Sequence, residues 1–491
     1  MKKILTYIIL ISTFVYLIWL VIDNGNHIVR HEKGIATINS SLTLTDKAKP
    51  VIINSEENIF QQFISNIKYP VSILLLQVII ILFVSRVFGI VFNKLGQQTV
   101  IGEIIAGVFL GPSILGWLFP QLSELIFPHN SFISLQFLSQ IGLVFFMFVI
   151  GMELDLDKIK NKAHDAIIIS HVSIIFPFFL GTCLSYFIYK DLAPVNTNFT
   201  SFTLFMGIAM SITAFPVLAR IIKERGLTKT PLGVLTLTCA AADDVSAWCL
   251  LAAVIAIVKA GNIVSSLFTI GLAIIYIIFM LYVIKPWLKK ISENRINNEK
   301  IDKTVIGISF FVLLMSAYFT EIIGIHALFG AFIAGIVMPN NIRFKEILTN
   351  KVEDLSTILL LPIFFAFTGL RTQIGLLNDS HLWLLCIIII FVAIFGKLIG
   401  SAITSKIIGR TWKDSLSIGV LMNTRGLMEL VVLNIGYDLG ILSPEIFAIM
   451  VLMALTTTFM TGPFLDSINY LFRNSKVVDY GNEVLIKDEK Y

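Results

Sequence analysis

The chain has 491 residues, 56% of them hydrophobic and 14% charged, with a formal net charge of +5, and its mean hydropathy is +0.86. Soluble domains carry about 25% charged residues, so the composition excludes a soluble globular protein. Long apolar runs recur from end to end without the alternation of a transmembrane barrel, which leaves an all-α polytopic membrane protein embedded in a lipid bilayer.

In chain order these runs predict fourteen spans, near 4–22, 71–92, 100–119, 133–152, 165–189, 200–221, 231–257, 263–284, 304–323, 326–340, 356–370, 382–404, 413–436 and 444–466. The first follows Met-Lys-Lys, is long for a signal sequence, and has no small-x-small site after it. An uncleaved N-terminal anchor helix over 1–22 is therefore expected, followed by a polar extracytoplasmic segment over 23–69. Thirteen helices make one unit over 70–468, and 469–491 reads as a short cytoplasmic tail. With both termini inside, the cytoplasmic side holds 26 Lys and Arg, counting Arg220 and Lys413 at span edges, against 8 outside, the bias of a multi-pass protein in a cytoplasmic membrane. The basic charge thus orients the chain, and no nucleic-acid partner is expected. Cys183, Cys239, Cys249 and Cys386 all lie in apolar runs without metal-ligand spacing. There is no phosphate-binding Walker loop, so neither a cofactor nor an ATP-driven pump is expected.

The two halves of the thirteen-helix unit share short segments in the same order. "AGVFLGP" (106–112) matches "AGIVMP" (334–339), and "FFMFVIGM" (145–152) matches "FFAFTGL" (364–370). The fifth and twelfth helices, "SITAFPVLAR" and "MNTRGLMELV", are both interrupted by polar or helix-breaking residues. Six helices, one connecting helix over 263–284 and six more give two inverted six-helix repeats. Breaks at corresponding places in such repeats point to the binding site of a secondary transporter.

Ionisable groups inside spans mark ion or proton pathways. Here they are Arg86, Glu103, Asp243, Asp244, Lys397, Arg425 and Glu429, with His171 and His326 reading as packing or boundary residues. Asp243 and Asp244 are adjacent, so on a helix they point about 100° apart and cannot share one site symmetrically. A desolvated carboxylate holds a proton more readily; deprotonated, it is a hard oxygen ligand for a small cation. It holds one or the other, and that competition is the chemistry of exchange. Lys397 must lose its proton or find a carboxylate, and one of the two aspartates is the natural partner. In the broken helices Pro216 frees a carbonyl, Ser211 and Thr213 add hydroxyls, and Asn423, Thr424 and Gly426 are their counterparts in the other half. Arg425 and Glu429 are placed to offset the partial charges of the helix ends, with Glu103 a further accessory charge.

"GEIIAGVFLGPSILG", "SITAFPVLARII", "AAADDVSAW", "LPIFFAFTGLRT" and "MNTRGLMELVVLNIG" together resemble the monovalent cation:proton antiporter-2 family, especially plant cation/proton exchangers and their bacterial relatives. The resemblance covers roughly residues 70 to 468. It implies a sodium/proton antiporter-like fold, a homodimer in a bacterial inner membrane whose core moves against a scaffold, and exchange of Na⁺ or K⁺ for protons by alternating access. It implies that Asp244 binds the transported metal cation or the proton, with Thr213 beside it, and that Asp243 pairs with Lys397. Many relatives carry a regulatory domain after the last helix. Residues 469–491 contain no Gly-rich dinucleotide fingerprint, so regulation of that kind is not expected. The alternatives are a gated K⁺ efflux pathway on the same scaffold and, in another class, an intramembrane aspartyl protease. The protease needs its carboxylates on facing helices, which adjacent residues do not supply. The protein is therefore read as a transporter and not as an enzyme.

Overall fold

The structure, a computed structural model, describes residues 9–10, 12–20, 69–97, 99–153, 163–260, 263–297, 300–301, 303–339 and 342–472. Residues 12–20 are helical, and Phe14 meets Phe176 and Phe179 edge-on. The expected polar segment beyond that helix, and the tail from residue 473, lie outside the described residues.

The thirteen runs from residue 70 onward all become helix. They are α1 (Pro70–Lys94), α2 (Thr99–Leu110), α3 (Phe132–Glu153), α4 (Ala163–Leu192), α5 (Phe199–Ser211) with α6 (Phe215–Glu224), and α7 (Pro231–Ala260). α8 (Ile263–Phe279) runs through a π-turn into Lys285–Arg295; α9 (Lys303–Ile323) and α10 (Ala327–Ile336) follow. Ile342–Leu355 leads through a second π-turn into α11 (Leu361–Arg371). α12 (Ser380–Ile407), α13 (Trp412–Met422) with α14 (Leu427–Asp438), and α15 (Pro444–Leu471) complete the chain. Among the described residues, ten helices are long and apolar enough to cross a membrane, eleven if the bent pair α13/α14 is one span. A two-residue hairpin, Ile296–Asn297 against Lys300–Ile301, is the strand content among the described residues.

Local sequence sets many of these boundaries. Asn198 starts α5 by accepting the Ser201 N–H at 2.7 Å. Thr411 caps α13 through the Asp414 N–H (3.1 Å) and donates its hydroxyl to the same aspartate (2.9 Å), a reciprocal cap worth about 1 kcal/mol. Pro70, Pro231 and Pro444 open α1, α7 and α15, where the missing N–H costs no helix bond.

Two spans differ from the sequence expectation. The run at 326–340 is helical only over Ala327–Ile336, about 15 Å at 1.5 Å per residue, half of a membrane crossing. It starts where expected, after Gly324 and His326 with positive φ (96° and 81°) and with His326 capping it through its Nδ1, but it stops at Ile336. The run at 100–119 is likewise interrupted after Leu110, resuming as the short helix Leu115–Leu118.

The helices sort into two bundles. In the first, α2 packs on α1 and α11, α3 on α10 and α11, and α9 on α10. In the second, α4 packs on α5, α7 and α12, while α13 lies between α12, α15 and α7. α8 touches α7 of one and α9 of the other. The first bundle is pinned by glycines where backbones touch. A Cβ on Gly107 would lie 2.4 Å from the Ala366 carbonyl, and one on Gly369 2.4 Å from the Val108 nitrogen. Gly151 and Gly335 make the same kind of contact between α3 and α10, each 2.2 Å from a facing carbonyl.

Candidate functional site

The site lies inside the second bundle, where the breaks of α5/α6 and α13/α14 meet. Residues 212–214 and 424–426 lie outside the helices, and the Ala214 N–H donates across the gap to the Thr424 carbonyl at 3.1 Å. Each break leaves half-helix ends with unsatisfied backbone groups, which must be met by side chains in so dry a place.

At the C-terminal end of α5 all four final carbonyls are met. Ile208 O accepts the Ser211 hydroxyl at 2.8 Å. Ala209 O and Met210 O accept the two Nη groups of Arg425 at 2.8 and 2.6 Å. Ser211 O accepts Lys397 Nζ. Two buried cations thus sit at the negative end of the α5 dipole, where cations are favoured. The end of α13 is met by backbone amides instead: Gly419 O takes the Asn423 N–H and Leu421 O the Thr424 N–H, both at 3.1 Å, while Met422 O lies 3.0 Å from the Thr213 oxygen. Arg425 also lies 3.2 Å from Glu429 Oε1, one turn ahead in α14, with both side chains fully buried.

Asp243 and Asp244 sit side by side in α7, both buried, and their surroundings differ sharply. Asp243 is saturated. Its Oδ1 accepts the hydroxyls of Ser170 and Ser173 at 2.9 Å each, and its Oδ2 accepts Thr213 at 2.6 Å and Lys397 Nζ at 2.9 Å. Lys397 donates further to the Ser173 carbonyl at 2.9 Å. The pair therefore ties α7 to α4, α12 and the α5 break through one charge-assisted cluster. Asp244 points the other way, toward the Phe215 amide at the N-terminal end of α6. Neither of its carboxylate oxygens has a hydrogen-bond partner among the described residues. The Asn423 side-chain oxygen, at the α13 break, is also buried without one.

The remaining residues singled out from the sequence fall around this centre or outside it. Thr213 is spent on Asp243, Ser211 on capping α5, and Pro216 stands in the first turn of α6. Thr424 supplies the carbonyl that joins the breaks, with its hydroxyl 3.4 Å from that of Thr461. Gly426 precedes α14, where a Cβ would lie 2.8 Å from Val217. Glu103 is half-buried on α2, in the first bundle, and Arg86 is exposed on α1. Ser170 and Ser173 were not singled out from the sequence. Their one-turn spacing in "IISHVSII" is the signal, a polar pair on one face of an apolar helix.

Two interrupted helices that cross beside buried charges, with the Asp244 carboxylate left without an ion pair or a side-chain partner among the described residues, define the core of a secondary ion transporter. Comparison with known proteins agrees. The profile of the sodium/hydrogen exchanger transmembrane family matches residues 78–468. The chain is 45% identical over 397 residues to the Na(+)/H(+) antiporter NhaS4 of Synechocystis sp., covering 81% of this chain and 97% of that one. It is 38% identical over 420 residues to Cation/H(+) antiporter 17 of Arabidopsis thaliana, covering 85% of this chain and 51% of the other, so it spans about half the length of that relative. The fold is similar to that of the sodium proton antiporter MjNhaP1 of Methanocaldococcus jannaschii, with a TM-score of 0.54 at 15% identity over 81% of this chain and 95% of that one. The chain belongs to the sodium/hydrogen exchanger family, and it is a multi-pass integral membrane protein.

Proposed function

We propose that the protein exchanges a monovalent cation, Na⁺ or K⁺, for protons by alternating access, with Asp244 as the group for which the two compete. The observation that carries this reading is the division of labour in α7. Asp243 is fully engaged by four donors, while neither oxygen of its neighbour has a hydrogen-bond partner among the described residues. A buried carboxylate in that condition is stabilised by a proton or by a cation, and it holds one at a time. Lys397 compensates Asp243, so the charge that changes during the cycle is that of Asp244. The second bundle would carry the load, moving against the first. The names of the relatives, a Na(+)/H(+) antiporter and a cation/H(+) antiporter, support the substrate class.

The same reading takes the two halves as inverted repeats. The reciprocal glycine contacts, Gly107 with Gly369 and Gly335 with Gly151, support it, since exchanging α2 with α10 and α3 with α11 converts one contact into the other. It also takes the termini as cytoplasmic in a bacterial inner membrane and the working form as a homodimer.

The test uses purified protein in liposomes with an internal pH-sensitive dye. Na⁺, K⁺ and choline are added in turn to wild type and to Asp244→Asn. Cation-dependent proton movement is expected in wild type, absent with choline and lost in the variant, with the thermal midpoint little changed because Asp244 has no hydrogen bond among the described residues to lose. K⁺ movement without protons would replace antiport by a gated efflux pathway.

A further inference from the structure

Far along α14 from the crossing, a second polar cluster joins the two bundles. Arg371, the last residue of α11 in the first bundle, lies 2.7 Å from Asp438 and donates to Asn434 Oδ1 at 3.3 Å, both on α14 of the second. Asn434 in turn donates to the Thr368 hydroxyl of α11 at 2.8 Å. Gln136 of α3 reaches the other Asp438 oxygen at 3.1 Å. The Arg371 guanidinium stacks 4.3 Å from the ring of Phe367 in its own bundle and 5.3 Å from Tyr437 in the other. At the same end of the molecule, Lys259 of α7 lies 3.8 Å from Glu321 of α9, again one bundle against the other.

Three features set this cluster apart from ordinary surface pairing. The Arg371 and Asp438 side chains are only 14% and 30% exposed, so the pair is partly desolvated and backed by two aromatic faces, conditions under which such contacts strengthen. Its base is fixed: the Ser113 hydroxyl donates to Thr372 O (2.8 Å) and accepts the Ile374 N–H (3.0 Å), holding the end of α11 in place. At the opposite end of the molecule, Arg225–Asp466 and Arg410–Asp165 each join elements of one bundle. Ser139, Gln140, Leu143, Phe364 and Val431 line a narrow cleft of about 20 Å³ together with members of the cluster.

We propose that Arg371, Asp438, Asn434 and Thr368 are a gate latch, closing the path to Asp244 from this end while the two bundles are in the position seen here. The inference rests on the antiport reading, which requires one bundle to move against the other. α14 is a single uninterrupted helix carrying Asn434 and Asp438 one turn apart, so sliding it past α11 breaks all of these bonds together. In the orientation proposed above this is the extracytoplasmic gate. Arg371 and Asp438 act on transport through access, not by touching the ion.

The latch is tested by access, independently of transport. A reporter Ser139→Cys, at a side chain only 2% exposed, is labelled with a polar maleimide in purified protein, the chain without the reporter giving the background from its own cysteines. Arg371→Ala and Asp438→Ala are expected to label several-fold faster than the reporter alone. Should these variants misfold, Thr368→Cys/Asn434→Cys serves instead. Joined by oxidant or a short bifunctional thiol reagent, it is expected to stop exchange, and reductant to restore it. Unchanged labelling in both alanine variants, or full exchange by the joined protein, would overturn the latch. Failure of unmodified wild-type protein to move protons with cations would overturn antiport, and the labelling rates would still decide the latch.

Discussion

Two adjacent aspartates do different work because a helix turns about 100° between them. One faces α4 and α12, the other the α6 terminus. The buried Asp243–Lys397 pair is therefore a coupled unit. Removing one member strands a buried charge, which costs about 3–5 kcal/mol. Lys397→Met and Asp243→Asn should each lower the thermal midpoint of the detergent-solubilised protein markedly, while the double variant should lie above either single one. Additive losses would show that the two groups do not stabilise each other. The oddity of two carboxylates at the head of an apolar run was visible in the sequence, and so was the requirement that Lys397 find a partner. Which aspartate it takes was supplied by family resemblance, since spacing alone left both open. Ser170 and Ser173 stayed hidden because small hydroxyl residues in an apolar helix look the same whether they bond their own backbone or a distant carboxylate.

Broken helices present the problem of naked backbone ends, and the two breaks solve it differently. α5 ends against Arg425 and Lys397, α13 against backbone amide donors. Arg425 belongs to one break and serves the other, so it locks the crossing. Arg425→Ala would leave the Ala209 and Met210 carbonyls buried without donors, at about 1–3 kcal/mol each, and would strand Glu429. A steep loss of thermal stability is expected, with Arg425→Lys recovering only part of it because an ammonium lacks the two-pronged reach of a guanidinium. Equal stability of wild type and Arg425→Ala would mean that water or rearranged backbone meets those carbonyls instead. The breaks were legible, because proline, glycine and polar residues interrupt an otherwise continuous apolar run. That Arg425 reaches across to α5 was not legible, because the partner lies 216 residues away and a carbonyl leaves no mark in the side-chain pattern. The half-length α10 was misjudged for a related reason: its apolar run continues through Val337 and Met338, although the helix has already ended.

At the scale of the whole molecule, hydropathy placed the apolar helical runs in order, and the matched segments fell on the glycines where α2 meets α11 and α3 meets α10. Partition into two bundles was beyond reach, since it depends on which apolar faces meet, and every face of such helices is apolar. The partition matters because the site sits wholly in one bundle, so ion and proton can be carried without either crossing an interface. If a single carboxylate serves both, cation and proton must compete at every step. With the proton-binding form dominant, each pH unit of acidification should then raise the half-saturating cation concentration about tenfold, or ~1.4 kcal/mol of apparent affinity, with the rate at saturating cation preserved. Separate sites would behave differently: acidification would depress the maximal rate and leave half-saturation in place. Initial rates in liposomes clamped at the same pH on both faces, over a range of cation concentrations at each pH, distinguish the two. A half-saturating concentration independent of pH would remove Asp244 as the shared site, whatever the effect of its replacement on total activity.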